Sequence, residues 1–200
     1  MENIILILIA YLLGSIPSAL WVGKLFYKTD VREHGSGNLG GTNTFRVLGR
    51  TAGLVVTILD ILKGTAAVLL VLLPIFSNTG IHPLVLGFCA VLGHIFPIFA
   101  GFKGGKAVAT SGGVLLGYNW PIFIIVLLTF LLALKITKMV SLSSMIVAVV
   151  AFIYSFIFYV WTGDYSLMII IGLMGIFIFY RHRANITRIK AGTEPKVKWL

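Results

Sequence analysis

Lys103-Gly104-Gly105-Lys106 and Lys135-Ile136-Thr137-Lys138 enclose 28 residues, 107–134, without a single charge. They begin Ala107-Val108-Ala109-Thr110-Ser111-Gly112-Gly113, turn at Asn119-Trp120-Pro121, and end in an apolar run from Ile122 to Leu134. Basic residues flanking apolar segments mark the cytoplasmic side of a membrane. With both lysine pairs there, the chain crosses an even number of times between them. Two full helical crossings need about 20 residues each, so the interval is too short for both. One helix is therefore short, broken or re-entrant, with irregular backbone expected near 103–113. A single crossing would leave the basic tail outside.

The rest of the chain is of the same kind. Of 200 residues, 58% are hydrophobic and 11% charged, and the mean hydropathy is +1.03. The apolar runs are continuous rather than alternating, which favours membrane helices over a barrel. Candidate spans are 3–23, 51–73, 83–102, 120–134, 139–160 and 165–180, with the glycine-rich 105–117 as a seventh. Lys and Arg gather in 24–50, 103–106, 135–138 and the tail (Arg181, Arg183, Arg188, Lys190, Lys196, Lys198), and are missing from 74–82, 117–121 and 161–164. The expectation is one all-α polytopic membrane domain over 1–200. It has seven transmembrane helices, N-terminus outside and C-terminus cytoplasmic, some helices short or broken. The Met-Glu-Asn start lacks a basic n-region and reads as a retained first span. No internal repeat stands out.

A formal charge of +10 would point a soluble protein towards nucleic acid. Here the topology accounts for it, and no nucleic acid is expected. The one cysteine, Cys89, lies in an apolar run and reads as packing. Only Glu2, Asp30, Glu33, Asp60, Asp164 and Glu194 are acidic, without the cluster a two-metal site requires. No metal or other cofactor is expected.

Three segments carry chemistry. The first is Gly35-Ser36-Gly37-Asn38-Leu39-Gly40-Gly41-Thr42-Asn43-Thr44-Phe45-Arg46. Its glycines permit tight turns and close approach to a ligand, and successive N–H groups can form an anion nest. Ser36, Asn38, Thr42 and Asn43 add short polar groups, and Arg46 a bidentate phosphate fork. The second runs from Gly93-His94 to Lys103-Gly104-Gly105-Lys106 and Thr110-Ser111, where a helix N-terminus would meet an anion. It is not a Walker A loop. The third is the tail from Arg181-His182 through Asn185 to Glu194. His182 and Asn185, three apart, share a helical face, and Glu194 is expected to pair with a basic segment. The bland alternatives are a flexible surface loop, topology-setting lysines and a lipid-facing basic tail. Asp60 and Lys63, three apart within a span, read first as a structural ion pair and second as support for the site.

Together the segments are specific. The chain resembles the bacterial acyl-phosphate:glycerol-3-phosphate acyltransferase family. Residues 35–46 match its Gly-Ser-Gly-Asn-x-Gly-Ala-Thr-Asn-x-x-Arg motif. Residues 93–110 are similar to Gly-His-x-x-Pro-x-Phe-x-x-Phe-Lys-Gly-Gly-Lys-Gly-Val-Ala-Thr, and 181–188 to Arg-His-x-x-Asn-Ile-x-Arg. Gly41 stands where the family usually has Ala, a permissive change. Ala107 stands where it usually has Gly, placing a methyl group beside Lys106.

The resemblance implies a seven-helix fold in the bacterial cytoplasmic membrane with its active site towards the cytoplasm. It implies acyl transfer from acyl phosphate to the 1-hydroxyl of glycerol-3-phosphate, giving lysophosphatidic acid and phosphate without metal or acyl-CoA. Arg46 and Lys106 are assigned to the phosphates and the developing oxyanion, and Ser36 to hydroxyl positioning. His182 and Asn185 orient a substrate, and the general base is either His182 or a substrate phosphate oxygen. Gly37, Asn38, Gly40, Thr42, Asn43, His94, Lys103, Gly104, Gly105, Arg181 and Glu194 complete the expected binding set. Besides the two substrates and the lipid bilayer, transient contact with the enzyme that makes acyl phosphate fits the resemblance. The rival reading is an organic-phosphate transporter.

Overall fold

The computed structural model describes residues 2–76 and 79–197; Lys198 of the expected basic tail lies outside them. All regular structure among these residues is helical. The chain packs as two compact units, Met1–Tyr118 and Asn119–Leu200.

The first unit opens with α1 (Glu2–Ser15) and α2 (Ser18–Tyr27), bent by 45° at Ile16-Pro17. Pro17 has no N–H to donate and its ring crowds the preceding turn, so the expected span 3–23 is a broken helix rather than a continuous one. Asp30 caps a 3₁₀ turn, Val31–Glu33, by accepting from Arg32 N at 3.0 Å. Next come α3 (Gly41–Leu48) and α4 (Arg50–Leu69), then α5 (Pro83–Ile95), capped by His82 with Pro83 in its first turn. Residues 101–107 are non-helical, and α6 (Val108–Tyr118) ends the unit.

Irregular backbone therefore stops at Ala107, and 108–113, expected to be irregular, are helical. The glycines there serve packing. A Cβ at Gly113 would strike the Ile61 backbone, and one at Gly64 the Thr110 carbonyl, so α4 and α6 approach backbone to backbone. Small residues drive such contacts in lipid, where burial of apolar surface does not.

The second unit holds α7 (Trp120–Thr137), α8 (Val140–Thr162), α9 (Tyr165–Arg181) and α10 (Arg183–Lys190). Asn119 caps α7, accepting from Ile122 N at 3.4 Å, and Asp164 caps α9, accepting from Ser166 N at 2.9 Å. The α9–α10 pair bends by 58° at His182. Among the described residues, four helices are long and apolar enough to cross a membrane, or up to six spans if each bent pair is counted as one; α6 is shorter. Large side chains such as Leu62, Leu128, Leu132, Ile153 and Phe156 lie exposed along these helices. Apolar surface on that scale suits lipid rather than water.

Candidate functional site

In the first unit, the segment expected to be one glycine-rich loop is a loop that turns into a helix. Gly35 and Gly37 take φ of +62° and +67°, a region open to glycine at little cost. Gly40 caps α3, which carries Thr42, Asn43 and Arg46. Residues 41–46 were not legible as helix because Thr and Asn are weak helix formers and the cap has no side chain.

Asn43 is buried and pins this loop. Its Nδ2 donates to Val31 O at 2.9 Å and His34 O at 3.2 Å, while Oδ1 accepts from Ser36 N and Oγ. Ser36 itself is exposed. Its proton is directed at Asn43, so the lone pairs of Oγ remain as acceptors for an incoming hydroxyl. Arg46 is exposed and makes no hydrogen bond or ion pair among the described residues. Gly37 is exposed, and Gly40 and Thr42 are half-buried along the same segment.

The first and second segments meet. Asn38 Nδ2 donates to Gly104 O at 3.5 Å. Gly104 N and Gly105 N each donate at 3.1 Å, to Ile95 O and His94 O. This folds the chain back on the end of α5 and delivers Lys106, half-buried, to the start of α6, while Lys103 stays exposed. Ala107 adopts φ +60°, and the methyl group that the sequence places beside Lys106 is buried. In the first turn of α6, Thr110 Oγ1 and Ser111 Oγ are buried and have no hydrogen-bond partner among the described residues. A lysine, two hydroxyls and a helix N-terminus together suit an anion.

In the second unit, His182 and Asn185 are both buried at the α9–α10 bend. His182 Nδ1 lies 2.8 Å from Ile178 O. A carbonyl only accepts, so Nδ1 carries the proton and Nε2 is the basic nitrogen. Arg181 is half-buried at the end of α9. Glu194 does pair with a basic residue: Arg188 Nε donates to Oε2 at 2.8 Å, while Asn185 Nδ2 at 2.7 Å and Ser141 Oγ at 2.6 Å donate to Oε1. Burial works to raise this carboxyl's pKa, but the hydrogen bonds from Ser141, Asn185 and Arg188 outweigh it and hold it below the ordinary carboxylate range. Sequence reasoning missed Ser141. The one available signal was the cluster Ser141, Ser143 and Ser144 opening an apolar helix.

Asp30 forms a second carboxylate centre, at 2.6 Å from Arg32 and 3.3 Å from Lys24. The hydrogen bond from Arg32 above all holds its carboxyl well below the usual range.

A family model described as glycerol-3-phosphate acyltransferase matches residues 4–192. A relative from Bacillus subtilis, named glycerol-3-phosphate acyltransferase, is 58% identical over 196 residues, 98% of each chain. Crystal structures of the integral membrane glycerol 3-phosphate acyltransferase PlsY share 36% identity and cover 98% of this chain. Its glycerol 3-phosphate form superposes with a TM-score of 0.88 over 96% of that chain, and its lysophosphatidic acid form with 0.85 over 95%.

Proposed function

The chain belongs to the glycerol-3-phosphate acyltransferase family, and from that premise we propose that it moves a fatty acyl group from acyl phosphate to the 1-hydroxyl of glycerol-3-phosphate. It is a multi-pass integral membrane protein acting as a glycerol-3-phosphate acyltransferase. The observation that carries the reading is the full-length likeness to PlsY, whose solved forms are named for glycerol 3-phosphate and lysophosphatidic acid.

In the proposed step the 1-hydroxyl oxygen attacks the acyl carbonyl carbon. A new C–O ester bond forms, the acyl carbon–phosphate oxygen bond breaks with its electron pair going to the departing inorganic phosphate, and the hydroxyl proton passes to His182 Nε2 or to a substrate phosphate oxygen. The products are lysophosphatidic acid and phosphate. The donor is already activated, so positioning and charge stabilisation carry the rate. Arg46 and Lys106, with the first turn of α6, hold phosphate and the developing oxyanion. The lone pairs of Ser36 Oγ orient the attacking hydroxyl. His182 Nε2 and Asn185 orient a substrate, with Glu194 holding Asn185 in place. Gly37, Asn38, Gly40, Thr42, Asn43, His94, Lys103, Gly104 and Gly105 shape or line the binding surface of the first unit, and Arg181 is the substrate-binding cation of the second.

The same reading takes the basic segments to the cytoplasmic face of a bacterial membrane, with α6 as part of a seventh, incomplete crossing and the whole chain as one domain. Acyl phosphate then reaches the site from the soluble enzyme that makes it. The test is purified protein in detergent with acyl phosphate and glycerol-3-phosphate, without metal or coenzyme A. Equal amounts of phosphate and lysophosphatidic acid are expected. Product from acyl-CoA with none from acyl phosphate would overturn the donor assignment.

A further inference from the structure

Within the first unit lies a buried ion pair, Asp60 and Lys63, that the proposed chemistry does not use, and it reaches His94 of the expected binding set. Asp60 Oδ1 sits 2.9 Å from Lys63 Nζ, accepts from Ser18 Oγ at 3.0 Å, and is 3.6 Å from His94 Nδ1. Lys63 Nζ also donates to Ile16 O at 2.9 Å. The Asp60, Lys63 and His94 side chains are 3%, 6% and 5% exposed.

The two charges face two half-helices in a matched way. Ile16 O lies one residue past the end of α1, where the dipole is negative; it accepts from the Ser18 amide at 3.0 Å and also receives the ammonium. Ser18 opens α2, where the dipole is positive; it faces the carboxylate. The pair thus closes the break that Pro17 makes.

The third partner points elsewhere. His94 sits at the end of α5, and its Nε2 lies against Gly105 so closely that no Cβ fits at that position. The backbone carbonyls of His94 and Ile95 hold the Gly105 and Gly104 amides. Asp60, His94 and the Gly104–Gly105 turn therefore form one line of contacts that ends beside Lys106.

A buried ion pair is poor evidence of a stabilising role. Replacing such a pair by apolar residues of similar volume is often neutral or better, whereas removing one partner is costly. We propose that Asp60 is a positioning residue for the acyl transfer: through His94 it fixes the Gly104–Gly105 turn and with it the placement of Lys106. The proposal rests on the function argued above.

The test uses the full chain in detergent, comparing wild type with Asp60→Leu/Lys63→Met and with His94→Ala. Thermal unfolding, amide hydrogen exchange at 104–106, and kcat and KM for glycerol-3-phosphate are measured. The double variant is expected to unfold near the wild-type temperature, to exchange the Gly104 and Gly105 amides at least tenfold faster, and to lose at least tenfold in kcat/KM. His94→Ala is expected to speed exchange equally with the ion pair intact. A folded double variant with wild-type exchange and kinetics would overturn the proposal. Should the double variant not fold, His94→Ala decides, and wild-type exchange there overturns it. Exchange is read without turnover, so an inactive wild type would sink the acyltransfer reading and leave this inference to stand or fall separately.

Discussion

Asn43 Oδ1 accepts two hydrogen bonds from Ser36, from its backbone N at 2.8 Å and its Oγ at 3.1 Å. The same carboxamide donates to Val31 O and His34 O, so one buried side chain anchors the start of the glycine loop at Ser36 to the turn before it. Asn43→Ala is expected to cost about 1–3 kcal/mol of stability, because two carbonyls and the Ser36 amide lose their partner. Asn43→Asp should be worse, since it sets an anionic oxygen against two carbonyl oxygens. Detergent unfolding of both variants checks the order.

Arg46 presents the opposite case. It is exposed and unpaired among the described residues, so Arg46→Ala should leave stability within about 0.5 kcal/mol. If Arg46 holds phosphate as proposed, loss of its charge should lower kcat about a hundredfold. Arg46→Lys should recover only part, since a point charge does not replace the planar fork. Steady-state kinetics beside a melting curve separates the two effects.

Ala107 holds φ +60°. The left-handed region costs an L-residue about 1–2 kcal/mol, and glycine escapes that cost at roughly 0.5–1 kcal/mol of extra chain entropy. Ala107→Gly should therefore raise stability by up to about 1 kcal/mol, seen as a higher unfolding temperature.

At Gly41 the packing leaves no room for a side chain. An added Cβ would collide with Thr57 Oγ1, which donates to Gly53 O at 2.8 Å. The reverse change, to the family's usual Ala, thus meets a clash in this chain. Gly41→Ala should destabilise by about 1 kcal/mol alone and be near neutral in a Thr57→Ala background, which a double-mutant cycle measures.

Glu194 ties Ser141, Asn185 and Arg188 together. Its carboxyl is held below the ordinary value, near 4.3 for glutamate. The folded state thus binds this proton less readily than the unfolded chain. The stabilisation is fully present above the unfolded pKa and is lost as pH falls through the lower folded value. Proteolysis of the tail should accelerate on acidification below about pH 4. Glu194→Gln should reproduce that sensitivity at neutral pH.

Long features were legible in the sequence and short ones were not. The apolar runs located α4, α5, α7, α8 and α9 because hydrophobic length is a property of the run itself. The charge argument on 107–134 required a short helix, and α6 is one. The Ile16-Pro17 break went unread because the run continues on both sides of it. At the site, Gly35–Arg46 and Gly104–Lys106 stood out by composition, and their contact through Asn38 and Gly104 is consistent with both lying on one face. Ser141 gave little sign of its role because its partner lies 53 residues away. No local pattern records such a contact.

Asp60 and Lys63 lie three residues apart on one helix. A lone Asp or Lys at the centre of a spanning helix raises the cost of insertion by about 2.5–3.5 kcal/mol. Because α4 carries both, it enters the bilayer already neutralised, before His94 has been synthesised. Either single apolar replacement would send an uncompensated charge through the insertion machinery, so biogenesis ties the two residues together: they can be kept or lost as a pair, but not one at a time.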